Sequence, residues 1–177
     1  MIYYNIRSKI KVFYFAHRGA PQLIHENTIE SIEKSIQLGC HGVELDLQKT
    51  KDDQIILFHD HFMKSKTLKH PITQTNYSTI IKFCKGNNTP PPPKLKNLLV
   101  IINKYPNIVF NIEIKSLLLN NLKILQLITS QIPRHVLERQ CIISSFNYPL
   151  LFQLKHCLNQ PINIALILES KKIQGGI

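Results

Sequence analysis

A chain of 177 residues with 44% apolar content can bury one sizeable core, so disorder is not indicated and residues 1–177 are expected to form a single domain. Its net charge of +11 suits an anionic ligand. The lysines are scattered and no Arg-rich run is present, which argues against a dedicated nucleic-acid binder.

The opening MIYYNIRSKIKVFYF is basic but has no apolar h-region, and no stretch of about 20 apolar residues follows. A cytoplasmic protein without stable membrane insertion is expected. Cys40, Cys84, Cys141 and Cys157 are widely spaced and form no C-x-x-C pair, which argues against a zinc site and fits a reducing compartment.

Val12 to His17 reads as a strand. Asn27-Thr28-Ile29-Glu30 offers an N-cap with an acid three residues on, and Gly39 offers a stop, so a helix is predicted over Thr28 to Leu38. Val43 to Leu47 and Ile55 to His59 are continuous apolar runs of the kind buried in parallel sheets. The gap between them is too short for a crossover helix, which needs about a dozen residues. If the two are parallel neighbours, one helix of a regular alternation is missing.

Residues 60–93 are less regular, with one short helix over Tyr77 to Cys84. The run Pro90-Pro91-Pro92-Pro93 is expected to be a stiff surface connector outside the core. Next come a helix over Lys94 to Tyr105, a strand over Ile108 to Ile114 and a helix over Leu117 to Ile132. A strand over Cys141 to Ser145, a helix over Tyr148 to Leu158 and a strand over Ile162 to Leu168 complete the pattern. Strands that alternate mostly with helices predict an α/β fold with a parallel sheet, either open or closed as a (β/α) barrel.

The chemistry gathers at predicted strand ends. Side chains alternate along a strand, so Glu44 and Asp46 share one face of GVELDL while Val43, Leu45 and Leu47 share the other. Glu113 and Lys115 repeat the arrangement in NIEIK. His17 and Arg18 end the first strand and His59 the third, and carboxyl ends of strands are where parallel α/β folds build their sites. Three carboxylates there suit Mg²⁺ or Ca²⁺, two histidines suit acid/base work near neutral pH, and Arg18 and Lys115 suit a phosphate. Taken singly, each of these residues is more often structural; their joint placement on several strand ends is the signal.

Seven motifs in order carry a family resemblance: His17-Arg18-Gly19, Glu26-Asn27-Thr28, Glu44-Leu45-Asp46, Thr50-Lys51-Asp52, His59-Asp60, Glu113-Ile114-Lys115 and Ser144-Ser145-Phe146. In these the chain resembles the glycerophosphodiester phosphodiesterases. The resemblance implies an irregular TIM-type (β/α) barrel that hydrolyses small glycerophosphodiesters to glycerol 3-phosphate and an alcohol. It also implies His17 and His59 as the acid/base pair, Glu44, Asp46 and Glu113 as ligands of a divalent cation, Mg²⁺ or Ca²⁺, and Arg18 and Lys115 as the substrate's phosphate contacts. The missing helix after the second strand is a feature of the same superfamily. Asp53 stands where the family often has Gly.

Six strands are predicted, against about eight in a closed barrel of this type. The barrel is therefore expected to be incomplete, with Phe13, Phe15 and Ile164 to Leu168 on unpaired edges and self-association through them. The alternatives are an inactive remnant, an anion-binding module, and a sphingomyelinase D-like or phosphoinositide phospholipase-like phosphodiesterase on the same barrel.

Overall fold

The structure, a computed structural model, describes residues 13–64, 69–116, 122–158 and 162–168. Val12, the start of the helix predicted from Leu117, the side chain of Cys157 and the tail from Lys171 lie outside the described residues. Eight strands are described: β1 (Phe15–His17), β2 (Gly42–Lys49), β3 (Ile55–Leu57), β4 (Phe62–Lys64), β5 (Lys69–Pro71), β6 (Val109–Ile114), β7 (Cys141–Ser145) and β8 (Asn163–Leu166). The α-helices are α1 (Ile29–Gln37), α2 (Tyr77–Gly86), α3 (Leu95–Lys104), α4 (Leu122–Gln131), α5 (Arg134–Gln140) and α6 (Tyr148–Leu158).

β1, β2, β6, β7 and β8 lie side by side in that order, all parallel. This is the α/β architecture of an irregular TIM-type barrel, with six strands in the main sheet among the described residues. Val43, Leu45 and Leu47 of β2 and Phe110, Ile112 and Ile114 of β6 face α1, α3 and α4 in one continuous core with Ile32, Leu98 and Ile128. Each such side chain stabilises the fold by about 1.5–3 kcal/mol. The opposite face is left to Glu44, Asp46, Gln48, Asn111 and Glu113, as the alternation predicts.

β3 departs from expectation. It pairs with β2 antiparallel, Leu47 opposite Leu57 and Lys49 opposite Ile55. An apolar run reads the same in either direction, and the short connection between the strands is a hairpin turn. Thr50 N donates to Gln54 O at 2.9 Å, and Asp53 adopts φ 57°, the left-handed conformation for which Gly is the usual choice. Asp52 accepts from Thr50 Oγ1 at 2.7 Å and from Tyr77 N at 2.9 Å, tying the turn to the start of α2.

The proline run is also more than a connector. Pro92 is buried, Pro93 O accepts from Leu57 N at 2.9 Å, and Tyr77 Oη donates to Pro92 O at 2.9 Å. An extended segment without N–H groups can still lend carbonyls to an edge strand. β4, β5 and α2 enclose a second small core of Ile56, Met63, Ile72, Ile80 and Cys84, with Phe58, Tyr77 and Phe83 packed against it. Neither the β4–β5 hairpin nor α5 is predicted from the sequence, since both are short.

Phe13, Phe15, Ile164, Leu166 and Leu168 are exposed on the two outer strands and their flanks, matching the predicted apolar edges. Phe15 nevertheless lies over Gly42, where an added Cβ would come within 2.4 Å of its ring.

The turn from β1 into α1 depends on Gly19. Its φ is 89°, and a Cβ there would lie 2.6 Å from Ser31 Oγ and 2.7 Å from the Ser31 carbonyl carbon. Gly19→Ala is therefore expected to destabilise the chain by about 2–4 kcal/mol, read as a fall in thermal midpoint. An unchanged midpoint would contradict this geometry.

Candidate active site

The polar face of the sheet is organised in two rungs. Register places His17 beside Glu44 and Glu44 beside Asn111, then Asp46 beside Glu113 and Glu113 beside Ser144. Leu47 has Ile114 on one side and Leu57 on the other, while Val43 has Phe110 and Ala16. β1 and β3 therefore share one edge of β2 and approach each other end to end. Arg18 N donates to Glu44 O at 2.9 Å and Phe58 N to Asp46 O at 3.0 Å. His17 and His59 thus reach the site from opposite directions along that edge. This corrects the expectation that His59 stands at the carboxyl end of a parallel strand; it arrives because the hairpin folds back.

Glu44, Asp46 and Glu113 each offer a carboxylate oxygen within 4.8 Å of the others. Asp46 is fully buried and Glu113 nearly so. Two cations neutralise them from either side. Arg18 Nε lies 3.4 Å from Asp46 Oδ2, and Lys115 Nζ lies 3.2 Å from Asp46 Oδ1 and 2.7 Å from Glu113 Oε1. Beyond the Lys115 ammonium, the buried Asp46 Oδ1 and Glu113 Oε1 accept from no described group. Such a donor set fits a hard divalent cation held by oxygen ligands.

Sequence reasoning singles out Glu26-Asn27-Thr28 as a motif but gives these residues no role in holding the charged groups. Asn27 clasps Asp46 twice: Nδ2 donates to Asp46 Oδ2 at 2.9 Å, and Oδ1 accepts from Asp46 N at 3.1 Å. The α1 cap is therefore Thr28, whose hydroxyl accepts from Ser31 N, and not Asn27 as predicted. Both residue types cap well, so the sequence alone does not separate them. Glu26 grips the Arg18 guanidinium at 3.1 and 3.2 Å. Arg18 and Asn27 both have positive φ, 57° and 54°, strain of the kind that gathers at functional sites.

His59 Nδ1 lies 2.9 Å from Asp60 Oδ1, which suits an Nδ1–H tautomer with Nε2 left free. Burial alone would raise Asp60, but Lys64 and His59 hold its carboxyl below the usual range. Gln48, fully buried on the acids' face of β2, directs Nε2 at the carbonyls of Phe58, His59 and Asp60, at 2.8 to 3.1 Å. The alternation that selects Glu44 and Asp46 also selects Gln48, a signal present in the sequence. His17 is the most open member of the group, its Nε2 3.7 Å from Glu44 Oε2.

Burial by itself would lower Lys115, but Glu113 and Asp46 together keep it above its ordinary value and so charged. His61 lies near it and is held below the usual histidine range by burial, then by Lys115 and His59.

The described residues thus form a TIM-type α/β sheet that carries an acid cluster between two cations, with histidines at its rim. The chain belongs to the glycerophosphoryl diester phosphodiesterase family, whose pattern matches residues 17–171. It is 32% identical over 156 residues to a glycerophosphodiester phosphodiesterase of Caldanaerobacter subterraneus, covering 82% of this chain and 63% of that protein. It is 28% identical over 160 residues to one of Bacillus altitudinis, covering 86% and 65%. A solved Oleispira antarctica phosphodiesterase in complex with its product sn-glycerol-3-phosphate superposes with a TM-score of 0.68 at 22% identity, over 88% of this chain and 64% of that one. The chain thus spans less than two thirds of the length of these relatives.

The electrostatics give a pH signature. Burial, then the Asp46 and Glu113 carboxylates, push Glu44 up from 4.5 to about 7, against the opposing pull of the Arg18 N–H and guanidinium. Between those values the folded chain keeps a proton that the unfolded chain has released. The stability this contributes is fully present below 4.5 and is lost as pH rises through about 7. In chelator, the melting temperature of the native chain is expected to fall over that window more steeply than that of Glu44→Gln. Parallel melting profiles would refute the assignment.

Proposed function

We propose that this single domain is a divalent-metal-dependent glycerophosphodiester phosphodiesterase. The observation that supports this reading is the triangle of Glu44, Asp46 and Glu113, three carboxylates within 4.8 Å of one another with the cations Arg18 and Lys115 beside them. The family membership and the product held by the Oleispira antarctica relative support the substrate class. When bound by the three carboxylates, Mg²⁺ or Ca²⁺ would supply positive charge to a phosphoryl group.

The chain's own residues would do the rest. Arg18 and Lys115 neutralise the non-bridging phosphoryl oxygens, where charge grows in the transition state. His17 and His59 divide the proton transfers. One takes a proton as an oxygen nucleophile attacks phosphorus; the other gives a proton to the alcohol oxygen as its bond to phosphorus breaks. Net hydrolysis leaves glycerol 3-phosphate and the alcohol. Asp60 holds the His59 ring through Nδ1, so the exchangeable proton is at Nε2.

Both phosphate-directed cations are paired with the carboxylates, Lys115 at 2.7 Å from Glu113 and Arg18 at 3.4 Å from Asp46. If those acids held a divalent cation, Lys115 and Arg18 would have more of their positive charge to offer a phosphate, with Arg18 still positioned by Glu26. Metal and phosphate therefore bind cooperatively in this reading. We also place the chain in the cytoplasm as a small-molecule enzyme: Cys40, Cys84 and Cys141 are free thiols. No described helix is long and apolar enough to cross a membrane.

Two measurements test the proposal. Calorimetric affinity for glycerol 3-phosphate should rise at least tenfold when Mg²⁺ or Ca²⁺ is added, and Glu44→Gln should remove that gain. Hydrolysis of glycerophosphoethanol should stop in chelator, and His59→Ala should slow it by about 10² to 10⁴ with product affinity retained. Turnover unaffected by chelator, or by loss of His59, would defeat the mechanism.

A further inference from the structure

Two recesses flank the acid cluster, and they differ in character. On one side His61, Glu113, Lys115, Ser116, Ser145 and Phe146 line a small space of about 260 Å³. On the other, a space of about 670 Å³ begins at Arg18 and His59 and runs under the segment that carries the second core. Asp46 stands between them, Oδ1 toward Lys115 and Oδ2 toward Arg18. A phosphoryl group at the cluster would therefore have one substituent facing each recess.

The larger recess is lined by apolar Phe58, Phe62, Met63, Phe83, Pro90 and Pro92 and also by polar groups, among them Arg18, Glu26, His59, Asp60, Lys64 and Thr89. Its described charged residues are already matched. Arg18 is held by Glu26 at 3.1 Å and Lys64 by Asp60 at 3.2 Å, so no unpaired acid is left for a cationic headgroup. The smaller recess presents the Lys115 ammonium and the His61 ring, groups that can hydrogen-bond a diol, while the Ser145 hydroxyl is taken up by Ile114 O and Asn147 N.

We propose that the larger recess receives the leaving alcohol and that it selects an uncharged, apolar alcohol over choline or ethanolamine, with glycerol in the smaller recess. This rests on the phosphodiesterase reading above and adds the specificity of that site. The second core explains how apolar residues come to line a substrate recess. Met63 and Cys84 are buried within it, while Phe58 and Phe83 pack against it and stay only part-buried.

The test is a series of n-alkyl esters of sn-glycerol 3-phosphate, methyl, butyl, hexyl and octyl, with glycerophosphocholine as the cationic member. The alkyl alcohols from butyl on differ little in acidity, so chain length isolates the recess. Binding is read by calorimetry on His17→Ala with Ca²⁺, and kcat/KM on the native chain. Affinity should rise about threefold per methylene until the recess is filled, with the choline ester weaker than butyl. Thr89→Trp, an exposed position on the recess wall, should flatten that rise, the long esters losing more affinity than the methyl ester. Affinity independent of chain length, choline as the preferred ester, or a rise untouched by Thr89→Trp would each overturn the proposal. A rise in affinity without turnover of any ester would uphold the recess and defeat the hydrolase reading instead.

Discussion

The rim of this sheet is organised around the partners of one buried carboxylate. Asp46 has no solvent exposure, and an unpaired ion there would cost several kcal/mol or would neutralise itself. Arg18 and Lys115 flank it, Asn27 clasps its side chain and backbone, and Phe58 N binds its carbonyl. Each of these four partners comes from a different segment: the turn after β1, the end of β6, the approach to α1 and the return of β3. Meeting the needs of one acid therefore draws four stretches of chain to one point. The candidate catalytic groups are their near neighbours, His17 beside Arg18 and His59 beside Phe58.

The same economy explains why Glu44 and Asp46 behave differently although they share a face. Asp46 has two cations and an amide within reach, so its charge is compensated. Glu44 has the Arg18 N–H at 3.1 Å and the histidine of β1 at 3.7 Å, and otherwise faces its fellow acids. Burial and repulsion then favour its protonated form up to about pH 7. In the proposed enzyme a divalent cation would supply the positive charge that Glu44 lacks. An acid cluster that is undercompensated by its own chain is better poised for metal than one already neutral.

The alternation of β2 and β6 made this face legible from residues alone, because a period of two leaves no freedom over which side Glu44, Asp46 and Glu113 take. It made Gln48 equally legible, yet a neutral amide draws less notice than an acid. The direction of β3 was not legible from its own three apolar residues. It was written in the turn, where Thr50 to Gln54 close a hairpin around the left-handed Asp53. The division of labour between Asn27 and Thr28 was hidden for another reason. Both residues can cap α1, and only the position of Asp46, 19 residues away, decides which one is diverted.

The segment between β3 and α3 looked like irregular connection because its elements are short and its pattern is neither helical nor alternating. Its order comes from anchors spread along the chain: Asp52 on Tyr77 N, Gln48 on three successive carbonyls, and Pro93 O on Leu57 N. These bonds fix both ends of the segment to the hairpin that delivers His59. The described wall of the larger recess and the proposed acid/base residue are therefore tied to the same hairpin. A substitution that loosens the small core of Ile56, Met63, Ile72 and Ile80 would shift the histidine along with the wall, coupling the shape of the recess to the placement of the proton-transfer group.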